Sequence, residues 1–225
     1  MRFGKRLKKV LSLVEENAGV VVDVGTDHGI LAFKILTEKK VKKVIATDIS
    51  APSLQKAKEL KQKYSLGNEF LCLVGDGLHP VKDEKRIDLV IIAGMGGHEI
   101  VKILEETKDF GRLRSFIFQP MQDTEVLREY LLKNWWQIDE DETVKDRNKF
   151  YSTIKCCPSK SSAIYKEEEV FVGKSDAMRR GADFLEWVGE EISALQKRKG
   201  YLTPKQQQKL EILKSIQLEN EEKKK

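Results

Sequence analysis

The segment from Val20 to Leu31, VVVDVGTDHGIL, constrains the fold of this chain more than any other stretch. Its valines, almost uninterrupted, predict a strand that is buried on both faces, as strands of parallel sheets are. Gly25 follows directly and allows a tight turn, and Gly29 stands where a side chain would collide with a neighbour packed on a helix start. The segment therefore predicts a strand, a tight loop and a helix start, which is how a chain presents backbone to a bound nucleotide.

The acids of this loop narrow the choice of nucleotide. Asp27 replaces the second glycine of the dinucleotide fingerprint GxGxxG, so the loop carries a negative charge where a pyrophosphate would be repelled. S-adenosylmethionine has an ammonium group in its amino-acid tail and no phosphate, and it is compatible with Asp23 and Asp27. Taken alone, the loop is equally consistent with a strand, turn and helix that bind nothing.

Length and composition limit the class of protein. A chain of 225 residues has room for one domain of ordinary size and a smaller appendage. Its three cysteines, two of them adjacent, match neither a disulfide framework nor a metal motif, which predicts reduced thiols in a cytoplasmic protein without a metal. No stretch approaches the roughly 18 apolar residues that a membrane span needs, so we expect no membrane association.

Further acids and glycines follow the later predicted strands. Asp48 ends the second strand, about 20 residues beyond the glycine loop, where an acid accepts hydrogen bonds from ribose hydroxyls in doubly wound folds. Asp76 lies between two glycines after the third strand and can reach the exocyclic amine of an adenine, although Gly-Asp-Gly is also ordinary turn chemistry. The fourth strand, Ile87 to Ala93, continues into Gly94 to Gly97, which predicts a flat surface without a bulky group beside the cofactor.

The order of elements predicts the architecture. Strands and helices alternate up to a strand ending at Gln119 and Pro120, and two late strands, Ile138 to Val144 and Phe150 to Cys156, predict an antiparallel finish. We therefore expect an α/β, Rossmann-like sheet in residues 1–158.

The pattern changes after residue 158. Residues 159–162 read as a linker, and Tyr165 to Val172 is either an edge strand or a helix start. Two helices follow, in residues 176–199 and from Pro204 onward, each with one apolar stripe. Facing stripes predict a helical hairpin, so residues 159–225 are expected to form a coiled-coil domain.

Positive charge is concentrated at the two ends of the chain. The net charge is +5, and Arg2, Lys5, Arg6, Lys8 and Lys9 lie close together before further lysines near the C-terminus. Such a distribution favours a polyanionic partner. The alternative is a solvated face of a chain in which 34% of residues are charged.

The motifs VVDVGTDHGIL, ATDIS, GDGLHPV, IDLVIIAGMGGHEI and FIFQPMQ, in this order, resemble those of the TrmK family, the bacterial tRNA adenine-N1 methyltransferases. The resemblance extends to about Lys155, and DVGTDH and IAGMGG are its most specific parts. It implies a class I methyltransferase fold and transfer of a methyl group from S-adenosylmethionine to N1 of adenine 22 in tRNA. The chain departs from the family at Met121, where an asparagine usually follows Gln-Pro.

The resemblance and the residue chemistry together name the site. We expect Asp27 and His28 to be catalytic residues that border the methyl group and the incoming base. The expected cofactor-binding residues are Asp23, Gly25, Thr26, Asp48, Ile49, Asp76, Gly77, Ala93, Gly94 and Met95. The expected substrate-binding residues are Gly96, Gly97, Gln119, Arg6 and Lys9, in a monomer whose partner is tRNA.

Two other functions remain open at this point. The cofactor residues say nothing about the acceptor, so a methyltransferase acting on another RNA or on a non-RNA acceptor is consistent with the same motifs. A tRNA-binding protein that keeps the fold without turnover is the alternative from another class.

Overall fold

The structure, a computed structural model, describes residues 3–107, 111, 113–159, 165–174, 176, 180–198 and 200–222. The strands are β1 (Val20–Val24), β2 (Lys43–Asp48), β3 (Phe70–Val74), β4 (Ile87–Met95), β5 (Leu113–Pro120), β6 (Trp136–Asp146) and β7 (Lys149–Pro158). The helices are α1 (Lys5–Leu13), α2 (Ile30–Lys39), α3 (Ala51–Lys63), α4 (Gly97–Glu106), α5 (Thr124–Lys133), α6 (Glu167–Val172), α7 (Ala182–Lys197) and α8 (Pro204–Glu222), with a 3-10 turn at His79–Val81.

One mixed sheet contains the described strands in the order β3-β2-β1-β4-β5-β7-β6. The first five strands are parallel, and β7 runs antiparallel to both β5 and β6. The predicted α/β sheet with an antiparallel finish is therefore confirmed. From β1 the chain proceeds outward to β2 and β3 and then returns to β4 on the other side of β1, which opens a crevice at the carboxyl ends of β1 and β4.

Helices cover both faces of the sheet. Val10 of α1, Ile35 of α2 and Leu54 of α3 are fully buried in the cluster on one face. Ile100 of α4 and Leu127 of α5 are fully buried in the cluster on the other face. Burial on both faces explains why the parallel strands are almost continuously apolar instead of alternating.

Strand β4 is longer than the sequence predicts. Met95 pairs with Pro120 of β5 after a register shift, so the strand extends through Gly94 instead of ending at Ala93. Gly96 then becomes the N-cap of α4. The predicted loop from Gly94 to Gly97 is wrong in extent, because pairing with β5 keeps its first half in the sheet.

The C-terminal part is helical. Of the two predictions for Tyr165 to Val172, the helix start is confirmed by α6, and most of the predicted linker, residues 160–162, lies outside the described residues. The apolar stripes of α7 and α8 pack together with the end of α6 in one cluster, which includes Phe171, Phe184, Val188, Leu213 and Ile216. Ion pairs Arg180–Glu219 and Lys209–Glu191 show that α7 and α8 run antiparallel.

A buried ion pair ties these helices to the sheet. Arg128 of α5 is 2% exposed and donates two hydrogen bonds, of 2.8 and 2.9 Å, to Asp141 of β6. The same guanidinium donates to the carbonyl oxygen of Phe171 in α6 at 2.8 Å. Nearby, the backbone N–H of Thr143 donates to Asp176 at 2.6 Å. The two predicted units thus share a polar junction, and the boundary at residue 158 stays a prediction.

No helix within the described residues is long and apolar enough to span a membrane.

Candidate active site

A cavity of about 300 Å³ lies at the crevice between the carboxyl ends of β1 and β4. Many residues predicted for the site from the sequence line it: Arg6, Asp23, Gly25, Thr26, Asp27, His28, Ala93 and Gly94. Met121, which follows β5, completes the wall. The fold therefore brings the predicted catalytic pair and half of the predicted cofactor residues into one place.

The loop after β1 is held by the acid that ends β2. The carboxylate of Asp48 accepts hydrogen bonds from the backbone N–H of Asp27 at 3.1 Å and of Ser50 at 2.8 Å. Asp27 has a left-handed backbone with a φ of +51°, a conformation that aspartate adopts more readily than most residues. Because each carboxylate oxygen of Asp48 has a second lone pair, the same side chain can still accept from a ribose hydroxyl.

Two glycines of the loop have positive φ angles, +68° at Gly25 and +70° at Gly29. A Cβ on Gly29 would collide with Ala57 of α3, as the sequence predicts for this position. A Cβ on Gly25 would collide with the terminal methyl group of Met95. The prediction of a surface without a bulky group is therefore wrong, since the thioether of Met95 lies over the loop.

Asp23 lies beneath the loop and is 3% exposed. Burial raises the pKa of this carboxyl to about 7, and the hydroxyl of Thr26, which donates to it at 2.6 Å, opposes the shift. The predicted binding of the cofactor by Asp23 stays a prediction. The hydrogen bond from Thr26 to Asp23 spans the turn, so Asp23 also supports the loop after β1 from beneath.

His28 lies between two charged side chains. Its Nδ1 is 2.6 Å from Oδ2 of Asp27, although without the alignment of a hydrogen bond, and its Nε2 contacts the ammonium group of Lys56 in α3. An ammonium group has no acceptor, so Nε2 accepts and Nδ1 carries the ring proton toward Asp27. Lys56 was missed in the sequence because no spacing links a residue of α3 to the loop after β1.

Arg6 extends into the cavity instead of remaining on a basic surface. Its guanidinium donates to the side-chain oxygen of the fully buried Gln119 and lies 5.5 Å from the ring centre of Tyr151. Burial lowers the pKa of Arg6, while Tyr151 and Asp146 act in the opposite direction. The fold thus brings the predicted substrate-binding pair Arg6 and Gln119 together, with Arg6 lining the cavity.

Lys9 does not offer a free positive charge. Its ammonium group lies 2.6 Å from Glu142 and 3.5 Å from Glu140, both on β6. Two carboxylates of the chain therefore offset the charge of Lys9, and the substrate-binding role predicted for it stays a prediction. Lys5 and Lys8, on the exposed side of α1, have no ionic partner among the described residues.

The glycines that start α4 serve the helix. Gly96 donates to the side chain of Glu99 at 2.9 Å, and Gly97 donates to the carbonyl oxygen of Gln122 at the same distance. Gly97 is buried, and a Cβ there would collide with the carbonyl group of Asp123. Close packing of two loops therefore explains Gly97, and its substrate-binding role is not needed to account for it.

The edge formed by β2 and β3 exposes apolar side chains. Ile49 is 71% exposed and Val74 is 52% exposed, and Val74 pairs in register with Asp48. Asp76 is exposed directly beyond them, followed by Gly77 with a φ of +49°. Exposed apolar side chains beside carboxylates match the face, ribose and amine of an adenosine. Val74 was missed because exposure at a strand end is not visible in the sequence.

Comparison with known proteins agrees with this geometry. A family model described as "Methyltransferase domain" matches residues 3–154. The tRNA (adenine(22)-N(1))-methyltransferase of Bacillus subtilis strain 168 is 29% identical over 197 residues, which cover 84% of this chain and 82% of that protein.

Solved structures match over nearly the whole chain. The m1A22 tRNA methyltransferase TrmK of B. subtilis has a TM-score of 0.81 and 27% identity, and the match covers 96% of this chain and 99% of the other. TrmK of M. capricolum, solved in complex with S-adenosyl-homocysteine, has a TM-score of 0.81 and 25% identity, with coverage of 96% and 95%.

The similarity to TrmK that the motifs predict is thereby confirmed, and it extends beyond the sheet to the appended helices. With a family model that matches about two thirds of its residues and a cavity at the switch point of its sheet, this chain belongs to the methyltransferase domain family.

Proposed function

We propose that this chain transfers a methyl group from S-adenosylmethionine to N1 of adenine 22 in tRNA. The observation that carries the proposal is the match to TrmK over 96% of the chain, because it includes the appended helices as well as the sheet. A shared sheet alone would indicate the cofactor without indicating the acceptor.

The residues around the crevice fit S-adenosylmethionine. Asp48 would hold the ribose, Ile49 and Val74 would contact the adenine, and Asp76 would accept a hydrogen bond from the adenine amine. Gly94 has a φ of +86° and lines the cavity, where a Cβ would lie 3.7 Å from the guanidinium of Arg6, so the backbone of Gly94 would border the amino-acid portion. When bound, the cofactor supplies a methyl group on a positively charged sulfur.

The chemistry at the base demands little acid or base catalysis. N1 of a neutral adenine has a lone pair, so the residues of the cavity need to hold the base in line with the methyl group. Positioning of this kind contributes on the order of 7–11 kcal/mol at the high end. Asp27, whose side chain is 57% exposed, faces the cavity and stabilises the positive charge that develops on the ring. It also assists the loss of a proton from N6.

His28 acts through Asp27 in this proposal. Both of its ring nitrogens face neighbouring side chains, Asp27 on one side and Lys56 on the other. It therefore positions the carboxylate of Asp27 in preference to exchanging a proton with the base.

The RNA must be held while the adenine leaves its pairing contacts, at a cost of a few kcal/mol. We place the main electrostatic contacts on Lys5 and Lys8 of α1 and on Arg147 and Lys149 at the turn between β6 and β7. All are exposed and have no ionic partner in the described part of the chain. The turn adjoins α1, since Asp146 accepts from the backbone N–H of Arg6 at 3.2 Å.

The helices α7 and α8 contribute to RNA binding mainly by shape. Lys205 pairs with Glu129 at 2.5 Å, and Lys209 pairs with Glu125 and Glu191. Lys197, Arg198 and Lys214 are exposed and remain available for phosphate contacts. The monomeric state and the cytoplasmic location stay predictions.

Labelled methyl transfer tests the proposal. The protein is incubated with labelled S-adenosylmethionine and unmodified tRNA, and the RNA is digested to nucleosides. We expect label in 1-methyladenosine, and no label when the transcript carries guanosine at position 22. Label in another nucleoside would favour another acceptor, and binding without label would favour the non-catalytic alternative.

A further inference from the structure

A second cavity, of about 320 Å³, lies beyond the carboxyl end of β5. The hairpin of β6 and β7 forms one side, and α7 and α8 form the other. Its lining includes Phe150, Tyr151 and Trp187 among aromatic side chains, and Thr143 and Ser152 among polar ones. None of these side chains has a part in the methyl transfer described above.

The second cavity adjoins the first. Met121 lines both cavities. Tyr151 lines the second, and its ring lies under the guanidinium of Arg6, which lines the first. A ligand that fills the catalytic cavity and continues past Met121 therefore enters the second one.

The charges of the second cavity favour an uncharged base inside it, with the phosphates of the RNA at its edge. Its acids Glu125 and Glu191 lie 2.5 and 2.7 Å from the ammonium group of Lys209, which also lies 5.6 Å from the ring centre of Trp187. The single ammonium group offsets only one of these two carboxylates, and the exposed Asp123 is a third acid of the lining, so the interior of the cavity suits an uncharged base and not a phosphate. The exposed Arg147 and Lys149 lie on the same hairpin, next to Phe150.

Resting on the proposed function, we infer that the second cavity binds the base of a nucleotide next to the target adenosine. Withdrawing one base from its pairing contacts leaves a neighbour unstacked, and an aromatic side chain replaces the lost stacking for any base. Thr143, Ser152 and Gln122 supply donors and acceptors for the base edge. Tyr151 is the stacking residue, because it lies at the boundary of the two cavities.

A double-mutant cycle between protein and RNA tests this inference. One partner is Tyr151→Leu, and the other is a tRNA with an abasic nucleotide on the 5′ or the 3′ side of adenine 22. Tyr151→Leu should raise the KM for tRNA about tenfold, the effect of losing one base–aromatic stack. It should leave the Kd for S-adenosylmethionine unchanged, and Tyr151→Phe should restore the KM.

The abasic tRNA should raise the KM of the wild-type protein by a similar factor on one of the two sides. The same abasic site should cause no further increase in Tyr151→Leu, because the stack is already absent. If the increases in KM caused by Tyr151→Leu and by the abasic site multiplied in full for both abasic positions, the inference would be overturned.

Matched controls separate the possible failures. Tyr201→Leu removes the same ring at a position that is 91% exposed and outside the cavity, and it should behave as wild type. Phe150→Leu serves as a second variant if thermal unfolding shows that Tyr151→Leu is not folded. Wild-type protein that does not methylate adenine 22 would overturn the proposed function itself, whereas normal methylation without coupling would overturn the second cavity alone.

Discussion

The catalytic cavity and the junction with the C-terminal helices use charged residues in opposite ways. At the junction, Arg128 and Asp141 are 2% and 0% exposed and satisfy one another. At the cavity, Asp27 is 57% exposed and its only ionic neighbour among the described residues is His28. Buried, mutually satisfied charges fix how two parts of a chain pack, while exposed ones are available to a ligand.

The lysines follow the same division. Lys205 and Lys209 at the junction pair with acids of α5 and α7, whereas Lys5 and Lys8 of α1 are exposed. The sequence predicts both ends of the chain as equivalent basic surfaces. The contrast teaches that a basic segment contributes to RNA binding only through the charges that its own fold leaves unpaired.

The largest effect is expected at the junction. Arg128→Met should lower the free energy of unfolding by about 3–5 kcal/mol, because Asp141 stays buried without its partner. Denaturant unfolding measures the loss. The combination of Arg128→Met with Asp141→Leu should recover most of it, and a double variant as unstable as the single one would show that the ion pair is not the cause.

A pH-dependent effect of similar size is expected beneath the catalytic loop. The pKa of Asp23 is raised to about 7 in the folded state from an ordinary value of 3.8. Between about pH 4 and 7 the unfolded chain therefore loses this proton while the folded chain keeps it, which lowers the stability of the wild type. Asp23→Asn removes this loss, so its stability relative to wild type should rise with pH, by up to about 4 kcal/mol.

Free energies of unfolding at pH 4 and pH 8 measure this difference, with the exposed Asp83→Asn as the matched control. A difference that does not change with pH would contradict the prediction. Burial raises the pKa of Asp176 at the junction to about 6. The stability of Asp176→Asn relative to wild type should therefore also rise with pH, but by a smaller amount.

Asp27→Asn tests the function of the exposed carboxylate. The change keeps the shape and the left-handed backbone but removes the negative charge, and it should lower kcat by roughly 10²–10³-fold. The Kd for S-adenosylmethionine should change little. Asp48→Ala should weaken cofactor binding and also lower kcat, because Asp48 holds the N–H of Asp27. Calorimetry measures the Kd for the cofactor, and single-turnover rates measure the chemical step. If Asp27→Asn weakened cofactor binding and Asp48→Ala lowered only the rate, the two roles would be exchanged.

The smallest effects are expected for single surface lysines. Lys8→Ala and Lys149→Ala should each reduce the slope of log affinity against log salt for tRNA by about 0.7–0.9, the contribution of one phosphate contact. Lys205→Ala, which removes a lysine already paired with Glu129, should leave the slope unchanged. Equal slopes for all three variants would remove the distinction between the two basic surfaces.

Deleting the C-terminal helices is a poor test of RNA binding. Such a truncation removes the carbonyl group of Phe171 that Arg128 contacts, and it exposes the junction. Loss of tRNA affinity in the truncated protein would therefore mix instability with lost contacts, which is why single substitutions are preferred.

Much of the fold was predictable because its signals are local. Ser50, a residue type typical of helix N-caps, accepts a bond of 3.4 Å from the N–H of Ser53 at the start of α3, and Thr203 caps α8 in the same way. Of the two adjacent tryptophans, Trp136 packs among Phe116 and Phe118 while Trp135 is 56% exposed. Adjacent side chains point to different faces, which the sequence already implies.

The errors and omissions share a different origin. The end of β4, the pairing of Lys9 with Glu140 and Glu142, and the contact between Lys56 and His28 all join residues that are distant in the chain. No periodicity or spacing encodes such contacts, because they depend on which strand becomes the neighbour of which.

The sequence by itself determined the strand, the glycine loop and the acids that follow the parallel strands, since backbone conformation and burial pattern are properties of short segments. Asp27 in place of a phosphate-binding glycine also argued against a dinucleotide, and the resemblance of the motifs to the TrmK family then indicated S-adenosylmethionine. The tertiary structure alone decided which charges remain free. Arg6 enters the cavity, Lys9 is neutralised and Arg128 is buried with Asp141, because the desolvation and pairing of a charge depend on neighbours that only the folded chain supplies.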